Sequence, residues 1–248
     1  GRVRIILHVH PKGRRPLHSW LSGFAGRNHF SACIQSGGRE TLEVICGESD
    51  LTVAVDQPEL ALRYGPGGFV QVNSAQNRNM VDSMLALLAL DGTENVLDLF
   101  CGMGNFSLPV ARRAGRVAGV EDFAPSIAYA RTNAAANHID NVDFHAADAA
   151  AVMTRCTGVD SPDLVILDPP RTGSYQVSGE LLKIRPERIL YVSCDPATLV
   201  RDLVPLVEGG YQVVSSQPFD LFPQTWHIER MTLFRLTDLA VPRFQLQG

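Results

Sequence analysis

The sequence lacks the features of a membrane-spanning or disulfide-stabilised protein. No apolar run approaches the roughly 20 residues needed to cross a bilayer, and no signal-peptide pattern opens the chain. The five cysteines are irregularly spaced and form no CxxC pair, so neither a disulfide framework nor a zinc site is indicated. We therefore expect a cytoplasmic protein in a reducing compartment, with no membrane partner and no bound metal.

Charged residues are also scarce, at 19% of the chain, and they are unevenly distributed. The net charge of −4 argues against a nucleic-acid partner, but residues 1–39 contain seven arginine or lysine residues and no aspartate or glutamate. Such a basic face can collect phosphates by counterion release. The alternative is a solvated surface that binds no nucleic acid, because arginine-rich segments also occur on such surfaces.

The N-terminal part of the chain has the pattern of short strands. Apolar and polar side chains alternate over residues 3–9, which is typical of a half-buried strand. Short apolar runs follow at 42–46 and 51–55, and the sequence GPGG at 65–68 ends the pattern. We predict a small β-rich module with a basic face over residues 1–68. Because the chain starts with glycine inside a strand-like run, we expect a piece of a longer protein.

From residue 69 onward, continuous apolar runs alternate with helix-length segments. Ser74 is expected to cap a first helix, since Met80 and Met84 fall on one face. Strands that are buried on both faces and alternate with helices indicate a doubly wound parallel sheet. The predicted strands are 96–100, 116–120, 142–144, 164–167 and 189–193, and the predicted helices are 106–113, 125–137, 149–155, 177–182 and 197–207.

The last two strand-like runs, 211–215 and 231–236, are close enough in sequence to pair as antiparallel strands. Five parallel strands followed by such a pair form the layout of the Rossmann-like class I methyltransferase sheet. We therefore predict an α/β fold with a parallel sheet, an antiparallel closing strand and the small β-rich N-terminal module. Residues 69–248 would be the methyltransferase domain.

A nucleoside-type ligand site is indicated at the ends of the first three parallel strands. Residues 97–108 (LDLFCGMGNFSL) run from an apolar strand through Gly-x-Gly into a helix, and such glycines let a ligand approach the backbone. Glu121 ends the next strand, where a carboxylate can accept hydrogen bonds from both ribose hydroxyls. Asp148 follows the third strand, where it could meet an adenine amino group. The alternative for Asp98, Glu121 and Asp148 is a strand-end residue that caps a helix.

The glycine turn favours S-adenosylmethionine over NAD. The NAD fingerprint G-x-G-x-x-G would need a glycine where Ser107 stands. S-adenosylmethionine has no pyrophosphate to hold, so the third glycine is unnecessary for it. An NAD oxidoreductase is therefore the disfavoured alternative.

Two further strand ends carry candidate catalytic residues. Residues 168–171 (DPPR) close the fourth strand, and enzymes that methylate exocyclic amines usually have an aromatic residue where Arg171 stands. Cys194 ends the fifth strand, before a helix that starts at about Pro196, and the positive field there should lower its pKa. Ligands bind at this edge of a parallel sheet, so Cys194 is a candidate nucleophile. We expect the other cysteines to be buried as small apolar residues: Cys33, Cys46, Cys101 and Cys156.

The segment that joins the two closing strands offers acid–base groups. Residues 219–229 (FDLFPQTWHIE) include the imidazole of His227 and the carboxylate of Glu229. Taken in isolation, Glu229 would more often be a solvated loop residue.

Five motifs occur in a fixed order: FVQVN at 69–73, LDLFCGMGNFSL at 97–108, DPPR at 168–171, VSCDPATL at 192–199 and FPQTWHIE at 222–229. Together, over about residues 65–236, they resemble the RNA 5-methyluridine methyltransferase family, which modifies tRNA or 23S ribosomal RNA. The resemblance implies S-adenosylmethionine as cofactor and RNA as partner, with Cys194 as nucleophile and Glu229 as proton-abstracting base. The implied cofactor contacts are Gln71, Phe100, Asn105, Glu121, Asp148 and Asp168.

The chemistry of uracil requires such a pair of groups. C5 of uracil is a poor nucleophile toward a methyl sulfonium, but a thiolate added at C6 makes C5 reactive, and a base must later remove the C5 proton. The target base must also be flipped out of any stack. Rival interpretations are a methyltransferase acting on an exocyclic amine or on cytosine C5, and a non-catalytic RNA-binding module. Cytosine-C5 enzymes also use a cysteine, but the segment after DPP carries none here.

The sequence departs from complete members of the family in two respects. Those usually carry an N-terminal RNA-binding barrel, and many hold an iron–sulfur cluster in a CGGC-containing cysteine cluster; the sequence contains neither. Residues 1–64 would then belong to the family's central domain. We expect no iron in this chain, and we expect a monomer.

Overall fold

The computed structural model describes residues 3–38, 41–152 and 161–237. The chain divides into two compact units, one formed by Gly1–Val53 and Arg63–Val70 and the other by Ala54–Leu62 and Gln71–Gly248. The assignment of 1–68 and 69–248 to two functional domains stays a prediction.

The smaller unit contains a three-stranded sheet and a helix. Strand β1 (Arg4–His8) is parallel to β2 (Ser31–Gln35), which is antiparallel to β3 (Glu43–Cys46). Between β1 and β2 lie a short 3-10 helix (Pro11–Gly13) and helix α1 (Arg14–Arg27). A small apolar core joins the helix to the sheet and consists of Leu21, Ala25, Ala32 and Ile34.

The β-rich character of this part is confirmed, but helix α1 was not predicted. Its sequence contains Gly23 and Gly26, which weaken helix propensity. Among residues 17–27 of the helix, whose burial the structure describes, only Leu21 and Ala25 are fully buried, so the apolar periodicity is short. The helix is therefore stabilised mainly by packing against the sheet.

A separate hairpin consists of β4 (Leu51–Val55) and β5 (Leu60–Tyr64). Its turn belongs to the larger unit, where the buried Asp56 accepts hydrogen bonds from both Nη atoms of Arg113, each at 2.9 Å, and from Arg112 at 3.2 Å. Burial acts to raise the pKa of Asp56. The hydrogen bonds from Arg113, Arg112 and a backbone N–H act in the opposite direction and together outweigh burial, so the pKa is lowered.

The larger unit is a seven-stranded sheet with helices on both faces. Its strands are β6 (Asn95–Leu99), β7 (Arg116–Glu121), β8 (Val142–Ala146), β9 (Leu164–Leu167), β10 (Arg188–Ser193), β11 (Tyr211–Phe219) and β12 (Glu229–Leu236). Its helices are α2 (Ser74–Leu88), α3 (Ser107–Ala111), α4 (Ala124–Ala136), α5 (Ala149–Val152), α6 (Tyr175–Ile184) and α7 (Pro196–Glu208).

The strand order is β11-β12-β10-β9-β6-β7-β8. Strands β10, β9, β6, β7 and β8 are parallel, and β12 is antiparallel to both of its neighbours, β10 and β11. The predicted α/β sheet with an antiparallel closing strand is therefore confirmed. The chain reverses its direction of winding between β6 and β9, and ligands bind at the carboxyl ends of strands beside such a switch point.

The apolar side chains of the central strands alternate between two cores. In β6, Val96 faces the core that contains Met80 and Met84 of α2, whereas Leu97 faces the core that contains Leu181 of α6 and Leu206 of α7. Because both faces of the sheet are covered, these strands are continuous apolar runs rather than alternating ones. This explains why their positions could be predicted to within a few residues.

Some predicted boundaries differ from the structure. Asn73, not Ser74, caps α2, since its side chain accepts a hydrogen bond from the N–H of Gln76 at 3.1 Å. The closing strands are longer than predicted, so Glu229 is the first residue of β12 rather than a loop residue. Of the helix predicted at 149–155, residues 153–155 lie outside the described residues.

Candidate active site

The register of the sheet brings several of the predicted residues to one edge. Leu99 at the end of β6 pairs with Val120 of β7 and with Leu167 of β9. The residues that follow these three, Phe100, Glu121 and Asp168, therefore lie at the same edge of the sheet. This is the carboxyl edge, beside the switch point between β6 and β9, where sheets of this type bind ligands.

The turn after β6 leaves room for a ligand at one glycine. Phe100, Gly102 and Gly104 have φ values of 65°, 55° and 95°. A Cβ added to Gly102 would meet no atom within 4 Å, whereas one added to Gly104 would lie 3.0 Å from Leu108. Gly104 thus lets the turn pack on its own helix, and Gly102 exposes backbone to open space.

Glu121 links the second strand to this turn. The N–H of Gly102 donates to Oε2 of Glu121 at 3.2 Å, and the N–H of Phe123 donates to Oε1 at 3.0 Å. Burial raises the pKa of Glu121, and the neighbouring Asp122 adds to the effect. The carboxylate is thereby fixed beside Gly102, and its oxygens retain lone pairs for hydroxyl donors.

Gln71 and Asn105 differ in their hydrogen bonding. Gln71 is buried, and its Oε1 has no hydrogen-bond partner within the part of the chain that the structure describes. The amide of Asn105 exchanges two hydrogen bonds with the amide of Asn77, at 2.8 and 3.1 Å. Asn77 lies on the buried face of α2 and was not predicted as a site residue, although an asparagine among apolar positions of a helix is a usable signal.

Two of the carboxylates also act as local hydrogen-bond acceptors. The exposed Asp148 accepts from the N–H of Ala151 at 2.9 Å, so it caps α5 as the alternative interpretation proposed. Asp98 is fully buried and accepts from the hydroxyl of Ser107. Burial raises the pKa of Asp98 to about 7. Ser107, whose presence disfavours an NAD fingerprint, therefore fixes the end of β6 to the start of α3.

Cys194 and Glu229 lie at neighbouring ends of a strand pair. In the antiparallel register of β10 and β12, Ser193 pairs with Arg230, so the next positions in that register are Cys194 and Glu229. Glu229 is only 6% exposed, which contradicts its interpretation as a solvated loop residue. Burial raises its pKa to about 7, and Arg171 acts in the opposite direction.

The expected lowering of the Cys194 pKa is wrong. Burial of this half-buried thiol raises its pKa, the charges of Glu229 and Asp168 raise it further, and Arg171 lowers it. Helix α7 does begin at Pro196, but Asp195 caps it and accepts from the N–H groups of two following residues, each at 2.9 Å. The negative charge of this cap offsets the positive end of the helix.

The other cysteines differ among themselves. Cys33 and Cys101 are buried as predicted, and burial raises the pKa of both thiols. Cys46 is only half-buried, so the prediction that it is a buried apolar residue is only partly correct. Cys156 lies outside the described residues.

Asp168 adds a further carboxyl group to the site. Desolvation raises its pKa well above the usual range, and the charges of Glu229, Asp98 and Glu121 act in the same direction. Each of these neighbouring carboxyl groups therefore makes it harder for the others to ionise. His227, the other predicted acid–base candidate, packs between Phe222 and the 81% exposed Trp226, with ring centroids at 6.0 and 3.9 Å.

The basic segment of the smaller unit is only partly directed to solvent. The half-buried Arg4 donates to the carbonyl oxygens of Ser49 and Tyr64 and lies over the Tyr64 ring at 5.6 Å. Lys12 and Arg27 are exposed. Arg2 and Arg39 lie outside the described residues.

Two kinds of feature are absent from the described residues. Within 3–38, 41–152 and 161–237, no helix is long and apolar enough to cross a bilayer. Over the same ranges, no three His, Cys, Asp or Glu side chains form a group that could hold a metal ion.

A family model described as tRNA (Uracil-5-)-methyltransferase matches residues 34–236. The chain belongs to this family. The 23S rRNA (uracil(1939)-C(5))-methyltransferase of Alkalilimnicola ehrlichii is 43% identical over 221 residues, which cover 87% of this chain and 49% of that protein. The enzyme of the same name from Shewanella frigidimarina is 39% identical over 224 residues, covering 88% and 49%. This tRNA (uracil-5-)-methyltransferase family member thus spans about half the length of the curated relatives it matches.

Solved structures are similar to this family member in fold. The tRNA (uracil-54, C5)-methyltransferase of Pyrococcus abyssi, in complex with S-adenosyl-L-homocysteine, superimposes with a TM-score of 0.69 and 28% identity over 84% of this chain and 52% of that one. The tRNA m1G37 methyltransferase of M. jannaschii has a TM-score of 0.63 at 14% identity, covering 95% and 70%, and shows the fold alone.

Proposed function

We propose that this chain is the catalytic part of an S-adenosylmethionine-dependent enzyme that methylates C5 of a uridine in RNA. The observation that supports the proposal is the register of β10 and β12: continued one position beyond the pair Ser193–Arg230, it brings Cys194 level with the buried Glu229. A thiol and a carboxyl group near each other are what C5 methylation of uracil requires. Membership of the family supports the same reaction, with an RNA such as 23S rRNA or tRNA as substrate.

The cleft after β6 has the properties of a site for the methyl donor. Open space over Gly102 lets a ligand contact the backbone, and Glu121 is held beside that glycine. The buried, unpartnered Oε1 of Gln71 has acceptor capacity that a bound cofactor could satisfy. When bound, S-adenosylmethionine would supply an electrophilic methyl group. The proposed contacts are Gln71, Phe100, Asn105, Glu121, Asp148 and Asp168.

Cys194 and Glu229 then perform the two steps that uracil chemistry needs. The Cys194 thiolate forms a bond to C6 of the flipped-out uracil, and the displaced electron pair makes C5 nucleophilic. After the methyl group has reached C5, the Glu229 carboxylate removes the C5 proton. The electron pair of that C–H bond restores the C5–C6 double bond, and the C6–S bond breaks to release the thiolate.

The smaller N-terminal part has a proposed supporting role. Exposed cations such as Lys12 and Arg27 can contact RNA phosphates, so residues 1–68 would form a basic fragment of the central domain. Residues 69–248 would form the methyltransferase domain. The reaction on a cellular RNA is proposed to take place in the cytoplasm.

A 5-fluorouridine trap tests the proposed reaction. A stem-loop RNA bearing 5-fluorouridine is incubated with the chain and S-adenosylmethionine and analysed by intact mass spectrometry. Fluorine at C5 cannot be removed as a proton, so we expect a methylated covalent protein–RNA adduct to accumulate. The adduct should disappear in Cys194→Ala and persist in Cys46→Ala, a control at another half-buried cysteine. The proposed function is wrong if the cofactor binds but no adduct forms with this chain, and none forms with a longer protein that contains it.

A further inference from the structure

A buried carboxylate outside the proposed catalytic pair joins three parts of the larger unit. Asp202 of α7 is fully buried. Its Oδ2 accepts a hydrogen bond from the Tyr191 hydroxyl at 2.7 Å and another from the N–H of Ser174. Its Oδ1 accepts from Nε of Arg201 at 2.8 Å and from Nη2 at 2.6 Å. A buried charge that is this well partnered is strongly tied to its neighbours.

The same cluster holds the loop that follows β9. Nη2 of Arg201 also donates to the carbonyl oxygen of Thr172 at 2.8 Å, so the loop is fixed at Thr172 and at Ser174. Gly173, between them, has a φ of 71°, and a Cβ there would collide with Oδ2 of Asp202 and with Arg201. The loop therefore approaches the carboxylate as closely as a backbone can.

The anchored loop and its two anchoring elements all border the candidate nucleophile. The loop starts at Asp168 and includes Arg171. Tyr191 lies in β10, the strand that ends just before Cys194, and Asp202 lies in α7, the helix that begins just after it. One carboxylate thus connects the loop to the elements on both sides of Cys194.

We propose that Asp202 is a positioning residue that holds the loop after β9 so that Arg171 lies beside Cys194 and Glu229. The catalytic meaning of this placement rests on the proposed function. The placement itself concerns the reactivity of the thiol and can be measured without RNA or methyl donor.

The position of Arg171 affects the pKa of the Cys194 thiol. The groups that act on Cys194 are Asp168 and Arg171 from the loop and Glu229 from β12. The two carboxylates raise the pKa of the thiol, and Arg171 lowers it. Arg171 also acts to lower the pKa of Glu229. The side chain of Arg171 is exposed, so its place is set mainly by the backbone that Asp202 anchors.

Alkylation of Cys194 measures this effect directly. The rate of reaction with iodoacetamide is followed between about pH 6 and 10 by peptide-resolved mass spectrometry, since the thiolate is the reactive form. In Asp202→Asn the loop loses its charged anchor, and in Arg171→Gln the cation itself is lost. At neutral pH we expect each variant to react at least about three times more slowly than the wild type. This corresponds to a rise of about half a unit in the pKa that the alkylation profile gives for Cys194. The double variant should be no slower than either single one.

A matched control separates positioning from general stability. Glu94 is also buried and accepts from two backbone N–H groups and from Arg188, at 3.1 to 3.3 Å, but it precedes β6 at the opposite edge of the sheet. Glu94→Gln should leave the Cys194 profile unchanged. If Asp202→Asn does not fold, Tyr191→Phe removes one hydrogen bond of the cluster and should shift the profile in the same direction by less.

Two results would overturn the proposal. One is an unchanged alkylation profile in folded Asp202→Asn, or in Tyr191→Phe if the former does not fold, while Arg171→Gln slows the reaction. The other is an equal shift in Glu94→Gln, which would make the effect one of stability. Neither result bears on the 5-fluorouridine trap, so failure of this proposal and failure of the proposed function are distinguishable.

Discussion

At the scale of single residues, Glu229 is a carboxyl group held in unfavourable surroundings. It is 6% exposed and shares the edge of the sheet with Asp168, whose pKa is raised in part by the charge of Glu229. Desolvation raises the pKa of Glu229 to about 7. A group with this pKa can both hold and release a proton near neutral pH, which suits a general base.

The raised pKa makes stability depend on pH. Between the usual pKa of 4.5 and the folded value of about 7, the folded state binds more protons than the unfolded state. The contribution of Glu229 to the free energy of unfolding must therefore fall as the pH rises through this window. We expect Glu229→Gln to be more stable than the wild type at about pH 8, by up to about 3 kcal/mol, with the difference shrinking toward about pH 5. Urea unfolding at several pH values measures it.

The control for this prediction is an exposed carboxylate. Glu187 is 63% exposed as a side chain, so Glu187→Gln should show no such pH-dependent difference. If the stability difference between Glu229→Gln and the wild type did not change with pH, folding would not raise the pKa of Glu229, and the prediction would be wrong.

The candidate residues could be named from sequence, and their roles stay a prediction, but their pKa shifts could not be foreseen. Cys194 and Glu229 stand out because each lies in a recognisable motif: Cys194 directly follows β10, and Glu229 begins β12. The pKa of Cys194, however, is raised by burial and by the charges of Glu229 and Asp168, which reach it from other strands. Long-range charges of this kind leave no local pattern in the sequence.

At the scale of elements, a buried ion pair helps to hold the turn of the β4–β5 hairpin. Asp56 has a φ of 63° and a side chain that is 1% exposed, and it binds Arg112 and Arg113. The two arginines are only partly exposed, at 25% and 35%. Removing the carboxylate charge would leave them without their buried partner.

We predict that Asp56→Asn lowers the free energy of unfolding by about 2 kcal/mol at neutral pH, since asparagine keeps the shape and tolerates the backbone angle. The pKa of Asp56 is lowered in the fold, so its stabilisation is present above the usual value of 3.8 and is lost as the pH falls through the folded pKa. The difference between variant and wild type should therefore disappear in strong acid. Chemical denaturation at neutral and acid pH measures it.

A surface pair serves as the control for the hairpin. Asp143 and Arg116 form an ion pair at 2.9 Å, but their side chains are 57% and 50% exposed. Asp143→Asn should change stability by no more than about 0.5 kcal/mol. Equal effects of Asp143→Asn and Asp56→Asn would contradict the special role of the buried carboxylate.

Elements with covered faces were easy to predict, and elements with short apolar stripes were not. Strand β9 was predicted with its observed bounds because four apolar residues in a row face two cores. Helix α1 was missed because its two glycines and its few buried side chains give little periodicity. Its formation depends on a sheet made by residues before and after it.

At the scale of the whole molecule, the proposed cofactor cleft lies where three parallel strands of the larger unit end. A ligand that contacts the ends of β6, β7 and β8 binds only the folded sheet. It should therefore stabilise that unit by mass action.

We predict that S-adenosylhomocysteine raises the free energy of unfolding by about 2.7 kcal/mol when present at about 100 times its dissociation constant. Gly102→Ala places a methyl group in the open space over the turn and should reduce this gain by more than about half. Gly179 in α6 also faces open space but lies away from the turn, so Gly179→Ala should retain the full gain. Differential scanning fluorimetry with and without ligand measures all three. An equal gain in both variants would place the cofactor elsewhere.

The topology of the larger unit could be predicted from the rhythm of apolar runs, because each parallel strand needs a crossover helix. The place of the hairpin turn in the larger unit could not be predicted, since the turn around Asp56 is separated in sequence from the rest of that unit. Arg112 and Arg113, which bind Asp56, follow it by more than 50 residues.

The position of β12 has a consequence for synthesis on the ribosome. Of the strands in residues 3–38, 41–152 and 161–237, β12 is made last, but it lies between β10 and β11, which are already complete when it emerges. Until it inserts, both neighbours present an unpaired edge, and Cys194 has no carboxyl group opposite. The insertion of β12 therefore closes the described sheet and completes the candidate catalytic pair in one event. A nascent chain that stalls before Glu229 would expose these unpaired strand edges to aggregation.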